Sequence, residues 1–419
     1  EAIAYVRFRG RELQTLYHWM AVALPYYASE LGPISNFAGQ QSTAPDLLTV
    51  VGPVGTRHTF GNVREWLLNA SGNHRWMMGG SWEDPAYMSA HRYSLPPLDR
   101  SPTNGVRLVE YQEPFPAEWR EPITIHVTDY RNAEPVSDDA FAVIKEQFVD
   151  TGPALEPRIE RAAEDYDEWS YERVSVNAAD ADERLIINLY LPKANKVNKE
   201  DRQAVIFFPG IGAFYGRASS EMPHLSPDAR LADFVPRGGR VLVAPVFWGS
   251  YERYAGLYEL NAASRSAMQS ELRRRWYTDL KRTIDYLETR ADIDAEKLAY
   301  LGISYGASHA LPILALEKRL DAAVLLVGGL GDLGFGAMPR MADPVNYVSR
   351  ITLPVLMLGG EKDYIFPLET SQRPLYRLLG TPDEHKRLKL YDAGHWPLSR
   401  AAFIRESADW LDRYLGQVQ

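Results

Sequence analysis

The second half of the sequence predicts an α/β fold in which helices cover both faces of a mostly parallel sheet. Short apolar runs have the length of buried strands, as in Ala204 to Phe208 and Leu353 to Gly360. The segment from Glu271 to Arg290 carries its large apolar side chains on one helical stripe. A third apolar run begins at Lys297, breaks into Gly-Ile-Ser-Tyr-Gly, and continues as a helical pattern. Strands that alternate with helices in this way form parallel sheets.

Ser304 stands at the centre of the Gly-Ile-Ser-Tyr-Gly sequence, between the predicted strand and the predicted helix. Gly302 and Gly306 allow strand and helix to approach closely, and the strained turn between them lifts the serine hydroxyl above the sheet. The N–H groups at the start of the helix point toward negative charge near the serine. This arrangement is typical of the nucleophile elbow of α/β-hydrolases and predicts that Ser304 is a nucleophile. The five-residue pattern alone is a modest signal, so its partners decide the interpretation.

The partners of such a serine are an acid and then a histidine, each in a loop that follows a strand. Asp363 follows the apolar run that ends at Gly360, and His395 follows the short run from Arg387 to Tyr391. The order serine, aspartate, histidine is the one that α/β-hydrolases use. Glu361 stays open as an alternative acid, because a loop shift of two residues would bring it into reach.

Acyl transfer also needs two donors for the oxyanion of the tetrahedral intermediate. We expect one to be the backbone N–H of Tyr305 and the other that of Ile211, in the glycine turn after Phe208; a plain turn without a catalytic part is the alternative for this loop. The aromatic residues next to these segments predict an apolar, aromatic-lined substrate cleft. They are Phe214, Tyr215, Phe247, Trp248 and Trp396.

The overall composition is that of a soluble globular protein long enough for two domains, with 419 residues, 45% hydrophobic and 24% charged. A net charge of −9 argues against nucleic acid or an anionic membrane as a partner. The absence of cysteine excludes disulfides, thiolate metal sites and cysteine nucleophiles. No apolar run reaches the ~18 residues of a membrane span, and no leader pattern is present. Because the first residue is Glu1, we expect an excised or processed piece, cytoplasmic or exported.

The first 127 residues are rich in glycine and tryptophan, and only Leu13 to Ala23 has a helical pattern. An ordered series of short segments resembles the C-terminal half of the formylglycine-generating enzyme family, a domain related to C-type lectins. The segments are Gly10 to Thr15 with Trp19, Gly61 to Trp66, Gly79 to Trp82, and Gly105 to Arg107. The resemblance implies an α+β fold. It does not extend to oxidase chemistry, because the copper-binding cysteines of that family are missing here.

The histidines of this first domain show no spacing typical of metal ligands, so we expect neither a metal nor another cofactor. They are His18, His58, His74, His91 and His126.

Residues 128–170 are predicted to form a connector that packs against both neighbours. Ser137 is a good N-cap for a helix that presents Phe141, Ile144 and Phe148 on one side. The acidic segment from Arg158 to Trp169 is interpreted as a second helix. The hydrolase domain is then 171–419, with a further helix predicted from Ser226 to Phe234.

This second domain is similar to the dienelactone-hydrolase-like branch of α/β-hydrolases. With the connector, the pair of domains looks like the C-terminal part of bacterial proteins that also carry a serine/threonine kinase. Dienelactone hydrolases proper use a cysteine nucleophile, which Ser304 replaces here. The resemblance and the three residues imply a serine esterase for small to medium carboxylic esters, with a peptidase or amidase as a variant. The alternative is a non-catalytic sensor or binding module of a kinase-linked protein.

Overall fold

The structure, a computed structural model, describes residues 1–23, 31–44, 50–52, 54–124, 128–180, 182–193, 202–219, 231–257, 262–331, 338–395 and 398–418. The chain divides into two compact units, Glu1–Val127 and Thr128–Gln419. Within the described ranges, no helix has the length and apolar composition that a membrane-spanning segment requires.

The first unit is built from short elements around two small apolar clusters. Its helices and strands are α1 (Ala2–Phe8), β1 (Glu12–Leu13), α2 (Leu16–Ala23), β2 (Arg64–Ser71), β3 (His74–Met78), β4 (Tyr93–Leu95), β5 (Asn104–Gly105) and β6 (Leu108–Val109). Strands β4, β3, β2 and β5 form one sheet in that order, and β1 pairs with β6. Large side chains such as Trp19 and Met77 are fully buried and fill a core that has little regular structure.

The second unit contains a nine-stranded sheet. Its strands are β7 (Arg158–Asp165), β8 (Trp169–Asn177), β9 (Arg184–Pro192), β10 (Ala204–Phe208), β11 (Val241–Pro245), β12 (Leu298–Ile303), β13 (Ala322–Leu326), β14 (Val355–Gly360) and β15 (Lys386–Tyr391). They lie in the order β15-β14-β13-β12-β10-β11-β9-β8-β7. The strands from β10 to β15 are parallel, and β7, β8 and β9 join as antiparallel strands. Every residue of β10 to β14 is buried, as expected for parallel strands covered on both faces.

The helices of this unit are α3 (Asp138–Lys145), α4 (Phe234–Arg237), α5 (Ala262–Leu287), α6 (Tyr305–His309), α7 (Leu311–Leu316), α8 (Val345–Val348), α9 (Arg373–Leu378) and α10 (Arg400–Leu415). Helix α5 begins earlier than the sequence pattern predicts, and its apolar stripe of Leu272, Trp276 and Leu280 is buried. Most of the helix predicted from Ser226 lies outside the described residues.

The predicted second connector helix is wrong, because residues 158–165 form strand β7 at one end of the sheet. An end strand has one hydrogen-bonded neighbour, and here almost every side chain is exposed, so no apolar alternation marks it in the sequence. The helix capped by Ser137 is present as α3, with the Ser137 side chain accepting a hydrogen bond from the Ala140 N–H. Its Phe141 and Ile144 are buried in the core of this unit.

Candidate active site

Ser304 occupies a sharp turn between β12 and α6, at the carboxyl edge of the sheet. Its backbone has φ 51° and ψ −104°, a conformation that costs energy for a residue with a side chain. The Ser304 N–H donates to the carbonyl oxygen of Leu326 over 2.8 Å, which ties the turn to β13. A strained serine held in this way presents its hydroxyl above the strands.

The glycines on either side of Ser304 are required by close backbone contacts. A Cβ atom at Gly306 would lie 2.2 Å from the carbonyl oxygen of Phe208, and one at Gly302 would lie 2.8 Å from the backbone nitrogen of Ala307. Both distances are too short for any side chain. The sequence pattern therefore reflects how tightly α6 packs onto β10 and β12.

The structure brings Ser304, His395 and Asp363 together in one chain of hydrogen bonds. The Ser304 Oγ lies 2.8 Å from Nε2 of His395, and Nδ1 of His395 lies 2.9 Å from Oδ2 of Asp363. Asp363 follows β14 and His395 follows β15, so neighbouring parallel strands deliver both loops to the same edge as the serine. The geometry lets Asp363 fix the imidazole with its proton on Nδ1, which leaves Nε2 as an acceptor for the serine proton.

The carboxylate of Asp363 is buried and held by its own loop. Its second oxygen, Oδ1, accepts hydrogen bonds from the N–H groups of Ile365 at 2.8 Å and Phe366 at 3.0 Å. Glu361, the alternative acid, is exposed, while the imidazole nitrogen of His395 is hydrogen-bonded to Asp363. This geometry favours Asp363 over Glu361 as the partner of the histidine.

The two predicted oxyanion donors lie in the segments that follow β12 and β10. Tyr305 is the first residue of α6, directly after Ser304, and Ile211 opens a short 3₁₀ turn that runs to Phe214. The Gly306 N–H donates to the carbonyl oxygen of Pro209 over 3.1 Å, which holds the two segments together. The role of both N–H groups as oxyanion donors stays a prediction.

The structure corrects part of the predicted substrate cleft. Phe214 and Phe247 are almost completely buried: Phe247 stacks on Phe208 with ring centroids 3.9 Å apart, and Phe214 packs 4.7 Å from the Tyr305 ring. Both side chains belong to the core, because position just after a strand does not fix the direction in which a side chain points.

The other predicted cleft residues differ in exposure. Tyr215 is exposed, and Trp248 is half-buried with the Arg275 guanidinium 4.5 Å from its ring centroid. Trp396 lies outside the described residues. A surface groove of about 470 Å³ lies elsewhere on this unit, beside Arg373 and Leu388, and includes none of the three hydrogen-bonded residues.

Two buried polar residues behind the serine were not assigned a functional role from the sequence. Arg273, on α5, donates from Nη1 to Nδ1 of His309, and His309 packs edge-on against the Tyr305 ring with centroids 4.0 Å apart. His309 is almost completely buried and packs in the core. Arg273 was missed, although an arginine on the apolar stripe of a helix is a visible signal.

Burial affects the protonation of both His309 and Arg273. The pKa of His309 lies well below its ordinary value, first because the imidazole is buried and second because the Arg273 cation is close. Burial also lowers the pKa of Arg273, which still keeps its proton at any ordinary pH. His309 is therefore neutral. Its Nδ1 accepts the hydrogen bond from Arg273, which stays protonated, and its own proton lies on Nε2.

Within the described part of the chain, no group of three or more histidine, cysteine, aspartate or glutamate side chains is placed to hold a metal ion. In the first unit, His18 lies among the rings of Tyr111, Phe115 and Trp119. His126 lies outside the described residues. The chemistry available at Ser304 is that of a hydrogen-bonded hydroxyl, imidazole and carboxylate.

The fold and the site define an α/β-hydrolase domain in the second unit. Residues 232–409 match the model of the dienelactone hydrolase family, so the C-terminal part of the chain contains an α/β-hydrolase domain of that family. The acetyl xylan esterase 1 of Thermoanaerobacterium sp. JW/SL YS485 has a similar structure, with a TM-score of 0.51 and 15% identity, over 68% of this chain and 98% of that one.

Two curated relatives from Thermobifida alba align with a shorter stretch. The cutinases est2 and est1 are each 26% identical to this chain in an alignment of 147 residues that covers 33% of this chain. The match covers 44% of est2 and 45% of est1, so the chain spans less than half the length of the curated relatives it matches.

Proposed function

We propose that the second unit is a serine esterase that cleaves small to medium carboxylic esters through an acyl-enzyme on Ser304. The observation that carries the proposal is the continuous hydrogen-bonded chain from the Ser304 hydroxyl through His395 to the buried Asp363. The match to a hydrolase family and to cutinases supports an ester as substrate.

In the first half of the reaction, Nε2 of His395 takes the proton of Ser304 as Oγ forms a bond to the ester carbonyl carbon. The resulting oxyanion accepts hydrogen bonds from the N–H groups of Tyr305 and Ile211, each worth about 3 kcal/mol. The intermediate collapses, the bond to the alcohol oxygen breaks, and His395 gives its proton to that oxygen. An acyl group then remains on Ser304.

In the second half, water attacks the acyl carbon while His395 takes a proton from it. The tetrahedral intermediate collapses, the bond to Oγ breaks, and His395 returns the proton to the serine. Asp363 stabilises the imidazolium that forms twice in the cycle. The free carboxylic acid and the alcohol are the products.

The proposal predicts that Ser304→Ala abolishes hydrolysis of p-nitrophenyl acetate and butyrate while the far-UV circular dichroism spectrum stays that of the wild type. Alanine fits a position where the hydroxyl points out of the turn. Turnover by this variant near the wild-type rate would refute the assignment. If the wild-type protein folds but hydrolyses neither the esters nor an anilide, the result favours the non-catalytic binding module. Hydrolysis of the anilide alone would favour an amidase.

We further propose that the enzyme prefers short-chain or aryl esters to long-chain lipids. The segment from Gly328 to Asn346 contains several glycines and prolines, which do not suit a long amphipathic helix that would act as a lid. A series of p-nitrophenyl esters from two to sixteen acyl carbons measures this preference. A maximum above twelve carbons would contradict it.

For the first unit we propose a structural or binding role within a formylglycine-generating-enzyme-like fold, without oxidase activity. Metal oxidation chemistry needs ligands that converge on one point, and the chain has no thiol to offer. Elemental analysis of the purified protein after reconstitution with copper and iron tests this. Stoichiometric metal that supports oxygen-dependent turnover would overturn the proposal.

A further inference from the structure

Arg273 is a buried cation on α5 that donates a hydrogen bond to His309, at the far end of the short helix that follows Ser304. It is 1% exposed, and it lies on the face of α5 that also carries Trp276, whose ring packs against Phe208 at the carboxyl end of β10. Arg273 precedes Trp276 by three residues, about 4.5 Å along the helix axis. Helix α5 runs antiparallel to β12, the strand that follows it. Moving from Trp276 toward the N-terminus of α5 therefore leads toward the edge of the sheet where Ser304 lies.

The contacts of Arg273 form a short path to the residue after the nucleophile. Its Nη1 donates to Nδ1 of His309, the last residue of α6. The His309 ring meets the Tyr305 ring edge-on at 4.0 Å, and the Trp276 ring lies 5.0 Å from His309 and 5.7 Å from Tyr305. Tyr305 therefore packs against two buried rings, and one of them, that of His309, is hydrogen-bonded to Arg273.

Stability alone gives a weak reason for an arginine at this place. Its hydrogen bonds go to neutral acceptors, His309 Nδ1 and the Ala342 carbonyl oxygen at 3.3 Å. Its Nη2 atom has no hydrogen-bond partner in the described part of the chain. Removing a guanidinium from water is costly, and well-packed apolar residues often replace buried charged groups without loss of stability. A costly buried group beside a catalytic turn suggests a contribution to activity.

We propose that Arg273 is a positioning residue that acts through His309 to hold Tyr305, and with it the backbone N–H beside Ser304, in the geometry that binds the oxyanion. The inference rests on the proposed esterase function. The backbone of Ser304 is in a strained conformation. Helix α6 has only five residues, so its own hydrogen bonds restrain it weakly. The buried rings supply the restraint, and the bond from Arg273 fixes the central ring in one orientation.

The test is a double-mutant cycle of Arg273→Met and His309→Leu, with kcat expressed per active site titrated with a fluorophosphonate. We expect each single change to lower kcat roughly ten- to a hundredfold, since small misplacements in an active site have effects of this size, with KM within about twofold. We expect the double variant to be no slower than the slower single variant, because Arg273 acts only through His309. The Tm of the double variant should stay close to that of the wild type, since the Arg273 donor and the His309 acceptor are removed together.

A matched control is Gln269→Leu. Gln269 lies one turn before Arg273 on α5, is equally buried, and its side-chain amide has no hydrogen-bond partner among the described residues. This change removes a buried polar group from the same helix face without touching His309, so kcat per site should stay unchanged.

Several outcomes would overturn the inference. A kcat per titrated site equal to the wild-type value in both single variants, whatever their Tm, shows a purely structural role. Additive losses in the double variant show that Arg273 does not act through His309. Failure of the wild type to label or turn over refutes the proposed function instead.

If the single variants do not fold, ¹⁵N spectra of the wild-type histidines decide the matter. The inference requires His309 to carry its proton on Nε2, and a proton on Nδ1 would overturn it.

Discussion

Replacing Asp363 by asparagine changes one atom in the hydrogen-bonded chain, and the structure indicates which way the new amide must face. The Oδ1 atom of Asp363 accepts two backbone N–H groups, from Ile365 and Phe366. An asparagine keeps those bonds only if its oxygen takes the Oδ1 position. Its NH₂ group then takes the position of Oδ2, 2.9 Å from Nδ1 of His395 in the native protein.

A donor at that position forces the imidazole into the other tautomer. Nδ1 must accept from the amide, so the proton moves to Nε2, which faces Ser304 and then has no lone pair for the serine proton. The corresponding change in other triads lowers kcat by about 10⁴, equal to about 5.4 kcal/mol of transition-state stabilisation at 1.36 kcal/mol per tenfold. We expect a loss of this size, with KM little changed.

The assay is p-nitrophenyl butyrate hydrolysis at saturating substrate, with active sites counted by mass spectrometry after long exposure to a fluorophosphonate. Glu361→Gln is the matched control, because it makes the same chemical change two residues earlier on an exposed side chain, and we expect less than about a twofold effect. A larger loss in Glu361→Gln than in Asp363→Asn would transfer the acid role to Glu361 and refute the reasoning.

Three further predictions concern stability. Gly306→Ala should destabilise the second unit by about 3 kcal/mol or more, because its Cβ would lie 2.2 Å from the Phe208 carbonyl oxygen; a denaturant midpoint within error of wild type would contradict this contact. Because burial and then Arg273 hold the pKa of His309 well below 6.5, the unfolded chain binds a proton there below pH 6.5 that the folded chain does not. The free energy of unfolding should therefore fall by up to about 1.4 kcal/mol for each pH unit below pH 6.5. Urea titrations at pH 5.0 to 6.5 measure this dependence, and His309→Leu should remove the contribution of His309 to it. An unchanged pH dependence in the variant would show that His309 is not the group responsible. A fragment 128–419 should be soluble and label at Ser304, whereas 171–419 should aggregate, because it lacks β7 and the buried side chains of α3; equal solubility of the two fragments would show that residues 128–170 are dispensable.

The three hydrogen-bonded residues of the site were visible in the sequence because each one follows a strand of the parallel sheet. Parallel strands bring their carboxyl ends to one edge, so Ser304, Asp363 and His395 meet although they are far apart in the chain. The glycines around Ser304 added a second signal, since only glycine fits against Phe208 and Ala307. Their proximity followed from topology, and their catalytic roles remain predictions.

Other features could not be predicted because they depend on contacts between residues that are distant in the sequence. Strand β7 has the composition of a solvated helix, and only its pairing with β8 makes it a strand. Phe214 and Phe247 follow strands of the site, yet their side chains turn into the core. The partner of Arg273 is 36 residues away in the sequence, so the pattern shows an unusual arginine without showing what it contacts.

The acyl-enzyme on Ser304 is tested most directly by intact-protein mass spectrometry of the wild type quenched in acid within milliseconds of mixing with p-nitrophenyl butyrate. The account predicts a species heavier by one butyryl group, mapped by peptide sequencing to Ser304, that forms and decays at rates consistent with kcat and is absent from Ser304→Ala. Burst formation of p-nitrophenol with the acyl group on another residue, or turnover with the same kinetics in Ser304→Ala, would contradict it.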